Sequence, residues 1–193
     1  MMTTQAILGI AAGIIELASS ATYVVSILRG YTRPDRVTWW ILGLVSGIIT
    51  ASYYATGARE TIWLPLVYTV NFLVIGILSV RYGYGQRTLS SLDRFALVGT
   101  FISAVIWWIF NSPVVALYMN ITIDFIALVP TIYKAYRKPR TEGPASWVIG
   151  VFASVLNVLA IQEWTFAVSF YPIYLLFVNT AIAYFIVRER AIK

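Results

Sequence analysis

The sequence predicts an all-α membrane protein of seven transmembrane helices, built as two parallel three-helix repeats joined by a connector helix. Three observations predict it. Apolar residues make up 60% of the 193-residue chain and charged residues 11%, with a mean hydropathy of +0.79, whereas a soluble domain carries about 25% charge. The apolar residues fall into seven stretches, each near the roughly 20 residues a helix needs to cross a bilayer. The first three stretches also recur, without a gap, as the last three.

The stretches cover 6–28, 37–55, 61–80, 92–110, 114–136, 145–161 and 164–187. Short segments rich in Gly, Pro or charge, such as Arg29 to Arg36 and Arg137 to Pro144, separate most of them and predict tight turns. The first stretch carries Ala18 to Ala21, which resembles a leader cleavage site. It is longer than a signal core and Met1 to Gln5 holds no Lys or Arg, so it is expected to stay as a span.

Charge gives the orientation. When the connections are taken alternately, one side receives Arg29, Arg33, Arg36, Arg81, Arg87, Arg94, Lys134, Arg137, Lys138, Arg140, Arg188, Arg190 and Lys193, and the other receives Arg59. By the positive-inside rule the amino terminus lies outside and the carboxyl terminus in the cytoplasm, a split that needs an odd number of spans. The net charge of +6 is therefore read as loop charge and not as a nucleic-acid surface. The chain has no Cys and no His, which excludes disulfides and the usual Cys/His ligand sets for zinc, haem or iron–sulfur clusters. An enzyme, a cofactor or a bound metal is not expected.

A shift of 108 residues pairs Glu16 with Asp124, Arg29 with Arg137, Trp39 with Trp147, Ser46 with Ser154 and Asn71 with Asn179. The predicted units are a first repeat over 1–80, a connector loop and fourth helix over 81–113, and a second repeat over 114–193. One extra helix between the triplets makes them run in the same direction.

Each first and third helix of a triplet carries a polar side chain near mid-membrane: Glu16 and Asp124, Asn71 and Asn179. A carboxyl at that depth costs about 2.5–3.5 kcal/mol on insertion scales, so it faces a cavity or a partner. With no Lys, Arg or His at that depth, the two acids must be protonated, bind a cation or hydrogen-bond to neighbours. They are the candidates for proton coupling, and the simpler alternative is that they act as hydrogen-bonding glue between helices.

The two Asn amides are expected to face one central cavity. Tyr68, Ser46, Thr50, Ser154 and Asn157 complete its polar lining, a set suited to a neutral polyhydroxyl or amide-bearing solute. Pro65, Pro130 and Pro172 fall inside spans and are candidate hinges, because each removes a backbone donor. Gly9 with Gly13 and Gly43 with Gly47 read as close-packing pairs. The seven Trp lie near the membrane boundaries and read mostly as interfacial anchors.

Around Val129 to Trp147, Pro130 closes the first helix of the second triplet, a basic turn follows, and Thr141-Glu142-Gly143 leads into the next helix. This segment, together with the triplet–connector–triplet architecture, resembles the SWEET sugar-transporter and PQ-loop group. Thr131 stands where the motif has Gln, and Thr22-Tyr23 stands where the first repeat would have Pro-Gln. In sugar carriers of that group an Asn on the third helix of each triplet contacts substrate, and Asn71 and Asn179 match those positions. Glu16 and Asp124 are similar instead to the acids of proton-coupled PQ-loop carriers, and the first repeat is also similar to nicotinamide riboside uptake proteins.

The resemblance implies a multi-pass carrier of the cell membrane that moves a small polar solute, sugar-like or vitamin-precursor-like, by alternating access. Its implied partners are that solute, the lipid bilayer and, as an option, further copies of the chain, with no nucleic acid. The alternative is a non-transporting membrane receptor or scaffold of the PQ-loop type. A retinal pigment is excluded, since 164–187 contains no Lys.

Overall fold

The computed structural model describes residues 2–31, 33–34, 36–83, 89–137, 139 and 144–191. Arg87, Lys138, Arg140 and Lys193 of the charge count lie outside the described residues, as do Thr141 to Gly143 of the motif. All regular structure among the described residues is helical. The helices are α1 (Thr4–Leu28), α2 (Arg36–Ala55), α3 (Trp63–Tyr82), α4 (Ser91–Phe110), α5 (Pro113–Arg137), α6 (Pro144–Leu159) and α7 (Phe166–Ala191), with a 3₁₀ turn at Glu60–Ile62 ahead of α3.

Every predicted apolar stretch holds one helix. Six are long and apolar enough to cross a membrane, and α6, with 16 residues, is the shorter one. The stretch predicted over 145–161 ends two residues early in the helix, at Leu159, where the Ala160 N–H bonds the Leu156 carbonyl (2.9 Å) and the Ile161 N–H tightens onto the Val158 carbonyl (3.2 Å).

Local chemistry sets the ends. The Thr3 hydroxyl accepts from the Ala6 N–H at 3.1 Å to cap α1. At its far end Gly30, at φ +76°, turns the chain so that the Tyr31 N–H reaches back to the Ser26 carbonyl, an end that favours a residue without Cβ. Ser90 and Asp93 form a reciprocal capping box on α4. Pro113 opens α5 and Pro144 opens α6, where a missing N–H costs nothing. Arg59 donates to the carbonyls of Tyr54 and Ala58 and lies over the Tyr54 ring, 4.0 Å from its centroid, so it closes the end of α2.

Small residues decide which helices touch. Gly9 of α1 meets the Glu60 backbone so closely that a Cβ would overlap the Glu60 carbonyl oxygen, and Gly13 lies against Trp63. On α2, Gly43 lies against Leu73, and Gly47 faces Thr69. Both glycine pairs thus face α3 and let it sit between α1 and α2.

The remaining contacts include α5 and α6 with α7, α1 and more sparsely α3 with α6, α2 with α5, and α4 with α5 and α2. Exchanging α1, α2, α3 for α5, α6, α7 carries the α1–α3, α2–α3 and α1–α6 pairs onto α5–α7, α6–α7 and α5–α2. At the seam of α4 and α5 the buried Asn120 amide donates to the Ser103 hydroxyl (2.6 Å) and the Ala116 carbonyl (2.8 Å).

The interior has two apolar parts. One surrounds Tyr53, Ile49, Leu64, Leu117 and Tyr171, and the other joins Ala135, Val178, Ile182 and Ile186. Outward, large apolar side chains are bare: Phe101, Trp108, Phe152 and Phe177 are each more than 60% exposed. Such a surface is far larger than a water-soluble monomer tolerates and is what a multi-pass membrane protein turns to lipid.

Candidate functional site

Between the helices lies a cavity of about 1030 Å³. Its inner limit is set by Ile49 and Tyr171, and it extends past Asp124, Asn179 and Trp39 to Thr38 at the start of α2 and to Leu89 and Ser90 ahead of α4. Thr38, Leu89 and Ser90 are exposed, so the cavity opens at that end of the bundle.

The opposite end is packed shut. The fully buried Tyr53 donates to the Val168 carbonyl at 2.7 Å, pairs with the Thr61 hydroxyl at 2.7 Å and packs edge-on against the Tyr171 ring, with centroids 5.4 Å apart. Pro172 explains the first of these bonds. It lies inside α7 and has no N–H to give to the carbonyl four residues earlier, which is that of Val168, and Tyr53 of α2 fills the vacancy.

Two polar chains run into the cavity wall. The Asn179 amide of α7 donates to Ser154 of α6 at 2.9 Å and to the Tyr68 hydroxyl of α3 at 3.3 Å, and Ser154 passes its own proton to the Gly150 carbonyl at 2.8 Å. The Tyr68 hydroxyl also adjoins the buried Glu16 carboxyl of α1, whose Oε2 finds no hydrogen-bond partner among the described residues. The second chain is shorter: the Tyr174 hydroxyl of α7 donates to Asp124 Oδ2 at 2.5 Å. In each triplet, then, a tyrosine of the third helix meets the acid of the first.

Of the expected site residues, Asn179, Tyr68, Ser46 and Asp124 line the cavity. Glu16 stands one side chain behind the wall, through Tyr68. Thr50 is not in the lining, since its hydroxyl is held in the α2–α3 seam by Thr69 (2.9 Å) and the Pro65 carbonyl (3.1 Å). Ser154 supports Asn179 from behind. Asn157 is fully buried away from the cavity, and its amide has no hydrogen-bond partner among the described residues.

The expectation that two amides share the cavity fails for Asn71, which is absent from its lining. Pro65 and Pro172 are 107 residues apart, whereas Asn71 and Asn179 are 108 apart. At a shift of 107, Asn179 pairs with Phe72, and Phe72 is on the wall beside Tyr68. A slip of one residue turns a side chain by about 100° around a helix, enough to carry Asn71 off the cavity side.

The three candidate hinge prolines all fall within helices. Pro65 is the third residue of α3, in its first turn. Pro130 falls within the bounds of α5, and Pro172 is interior to α7.

Sequence reasoning missed several wall residues. Trp39 and Trp147, read as interfacial anchors, line the cavity, together with Phe72 and Tyr171. Tyr23, Trp39, Phe72 and Tyr68 form a continuous aromatic row, with successive centroids 5.3, 5.5 and 6.0 Å apart. The paired Trp39 and Trp147 of the repeat were the signal that could have found the first of them. By contrast Trp108, 85% exposed, and Trp164, 66% exposed, point outward as anchors do.

Comparison with protein-family models, with curated proteins and with solved structures finds no match to this chain.

Proposed function

We propose that this protein is a seven-span carrier of the cell membrane that moves a small polar solute by alternating access. The observation that carries the reading is the cavity. It has polar and aromatic walls inside a bundle of apolar helices, opens at one end and is blocked at the other by Tyr53, Thr61 and Tyr171. A pathway for solute has to be open to one side at a time, and this arrangement is one of the two states it requires.

In this reading α6 is the seventh span, the amino terminus is outside and the carboxyl terminus is cytoplasmic. The two triplets are parallel repeats about an axis along the membrane normal. The exchange symmetry of the helix contacts supports that arrangement, as does the meeting of Tyr68 with Glu16 and of Tyr174 with Asp124. The kinship with the SWEET and PQ-loop group belongs to the same proposal. The open end is the one bearing most of the basic residues, hence the cytoplasmic end. Glu16 and Asp124 carry the coupling proton, because each contacts a tyrosine of the helix that must shift as the cavity changes sides. No reaction is assigned to the site.

The test is reconstitution in liposomes with a solute panel covering sugars, nucleosides, amino acids and vitamin precursors at two pH values, read as uptake and as a rise in melting temperature. Ligand binding stabilises the folded state by mass action. Saturable uptake of one solute supports the proposal, and binding without flux rejects the carrier in favour of a receptor.

A further inference from the structure

We infer that the solute is a small organic cation, a specificity that rests on the carrier reading and adds the charge of the substrate to it. The argument comes from what the cavity wall still has to offer once its internal hydrogen bonds are counted.

Both N–H groups of the Asn179 amide are engaged, by Ser154 and by Tyr68, so its carbonyl oxygen is what remains for a ligand. The Tyr174 proton is spent on Asp124, and the Ser46 hydroxyl is paired with Thr69 at 2.9 Å. Asp124 has a second carboxylate oxygen beyond the one that Tyr174 occupies. Around Asn179 and Asp124 the groups left for a ligand are therefore acceptors, which a cation can use without any donor of its own.

Charge and aromatic surface agree with this. The charged side chains among the described lining residues are Asp124 and Asp93, and none is Lys or Arg. Asp93 is held at the rim by its capping box with Ser90, which leaves Asp124 as the deep carboxylate. The same cavity is lined by the row Tyr23, Trp39, Phe72 and Tyr68, with Tyr171 at the inner limit. Aromatic faces attract alkylated ammonium groups through their quadrupoles, most strongly where water is excluded. Two acids would repel an anion, and the π faces would add to that repulsion.

The experiment uses one isosteric pair that differs in charge and one ionic-strength control. Choline chloride is compared with 3,3-dimethyl-1-butanol, and tetraethylammonium chloride with an equal concentration of sodium chloride. Binding is read on the full-length protein in detergent by intrinsic tryptophan fluorescence, to which Trp39 and Trp147 contribute from the wall, and by melting temperature. At least one cation is expected to bind saturably and tenfold or more tightly than its uncharged or inorganic control. Asp124→Asn should abolish that preference, and Trp39→Ala, on a different helix, should weaken cation binding by a similar factor. Having two variants keeps the test decisive if one of them fails to fold.

Cations binding no better than their controls overturns the inference, as does a preference that survives both substitutions. Flux of labelled choline and of neutral solutes through proteoliposomes then separates the two claims. Cation binding without any flux overturns the carrier alone, and flux of a neutral solute without cation binding overturns the charge assignment alone.

Discussion

Tyr53 donates a hydrogen bond to the Val168 carbonyl across 2.7 Å, joining α2 to α7 at the one backbone acceptor that Pro172 leaves without its helical donor. A proline in one helix has thus created the docking point for a side chain of another, and the closed end of the cavity is built on that point.

Removing the hydroxyl should expose the dependence. Tyr53→Phe leaves the buried Val168 carbonyl unpaired and is expected to cost about 1–3 kcal/mol. Pro172→Ala restores an N–H to the same carbonyl, so in that background Tyr53→Phe should cost much less. A double-mutant cycle of denaturation in detergent measures the difference, and strict additivity would show that the two residues do not share the acceptor.

The two asparagines should behave differently despite their matching positions in the repeat. Asn179→Ala removes the link from Ser154 to Tyr68 and a wall acceptor, and is expected to weaken ligand binding by roughly tenfold, or about 1.4 kcal/mol. Asn71→Ala leaves the cavity lining intact and should retain affinity within about twofold on the same scale. Titration of both variants against one bound solute checks this, and equal losses would restore Asn71 to the site.

Proton coupling makes a prediction about gradients. Glu16→Gln and Asp124→Asn keep size and hydrogen bonding but can carry no proton. Whatever uptake the double variant retains should show no dependence on a pH gradient. Unchanged dependence would leave the two carboxyls as interhelical glue.

The glycines supply a packing test with an internal control. Gly9→Ala would drive a methyl group into the Glu60 carbonyl, and either the 3₁₀ turn or α1 must shift, at a cost of about 1–3 kcal/mol. Gly47→Ala places its methyl 3.9 Å from Thr69 Cγ2, an ordinary contact, and should hold or raise the melting temperature. Equal melting temperatures for the two variants would contradict the close approach of α1 to Glu60.

The contrast between what the sequence revealed and what it hid follows from the range of each signal. Helix positions were legible because hydropathy sums over some twenty residues, so a misjudged residue at either end changes little. The acids at 16 and 124 were legible because a carboxyl in an apolar run is conspicuous by itself. Asn71 misled because a helix face depends on single-residue register, and one slip between the second and third helices of a triplet is invisible to an ungapped comparison. Tyr171 and Tyr174 were missed for another reason: tyrosine in a span is counted with the apolar residues, and only the fold reveals that the Tyr174 hydroxyl donates to Asp124.

The shortness of α6 has a consequence for the surrounding lipid. Sixteen helical residues rise about 24 Å, against a hydrocarbon core of about 30 Å. As the seventh span of the proposed carrier, α6 leaves the bilayer beside it to thin or its flanking residues to reach toward the headgroups, and either response costs a fraction of a kcal/mol per ångström. The neighbouring α1 and α7, at 25 and 26 residues, impose no such demand. In that carrier the mismatch falls on the α6 side of the molecule, so acyl-chain length would bear on the second triplet first.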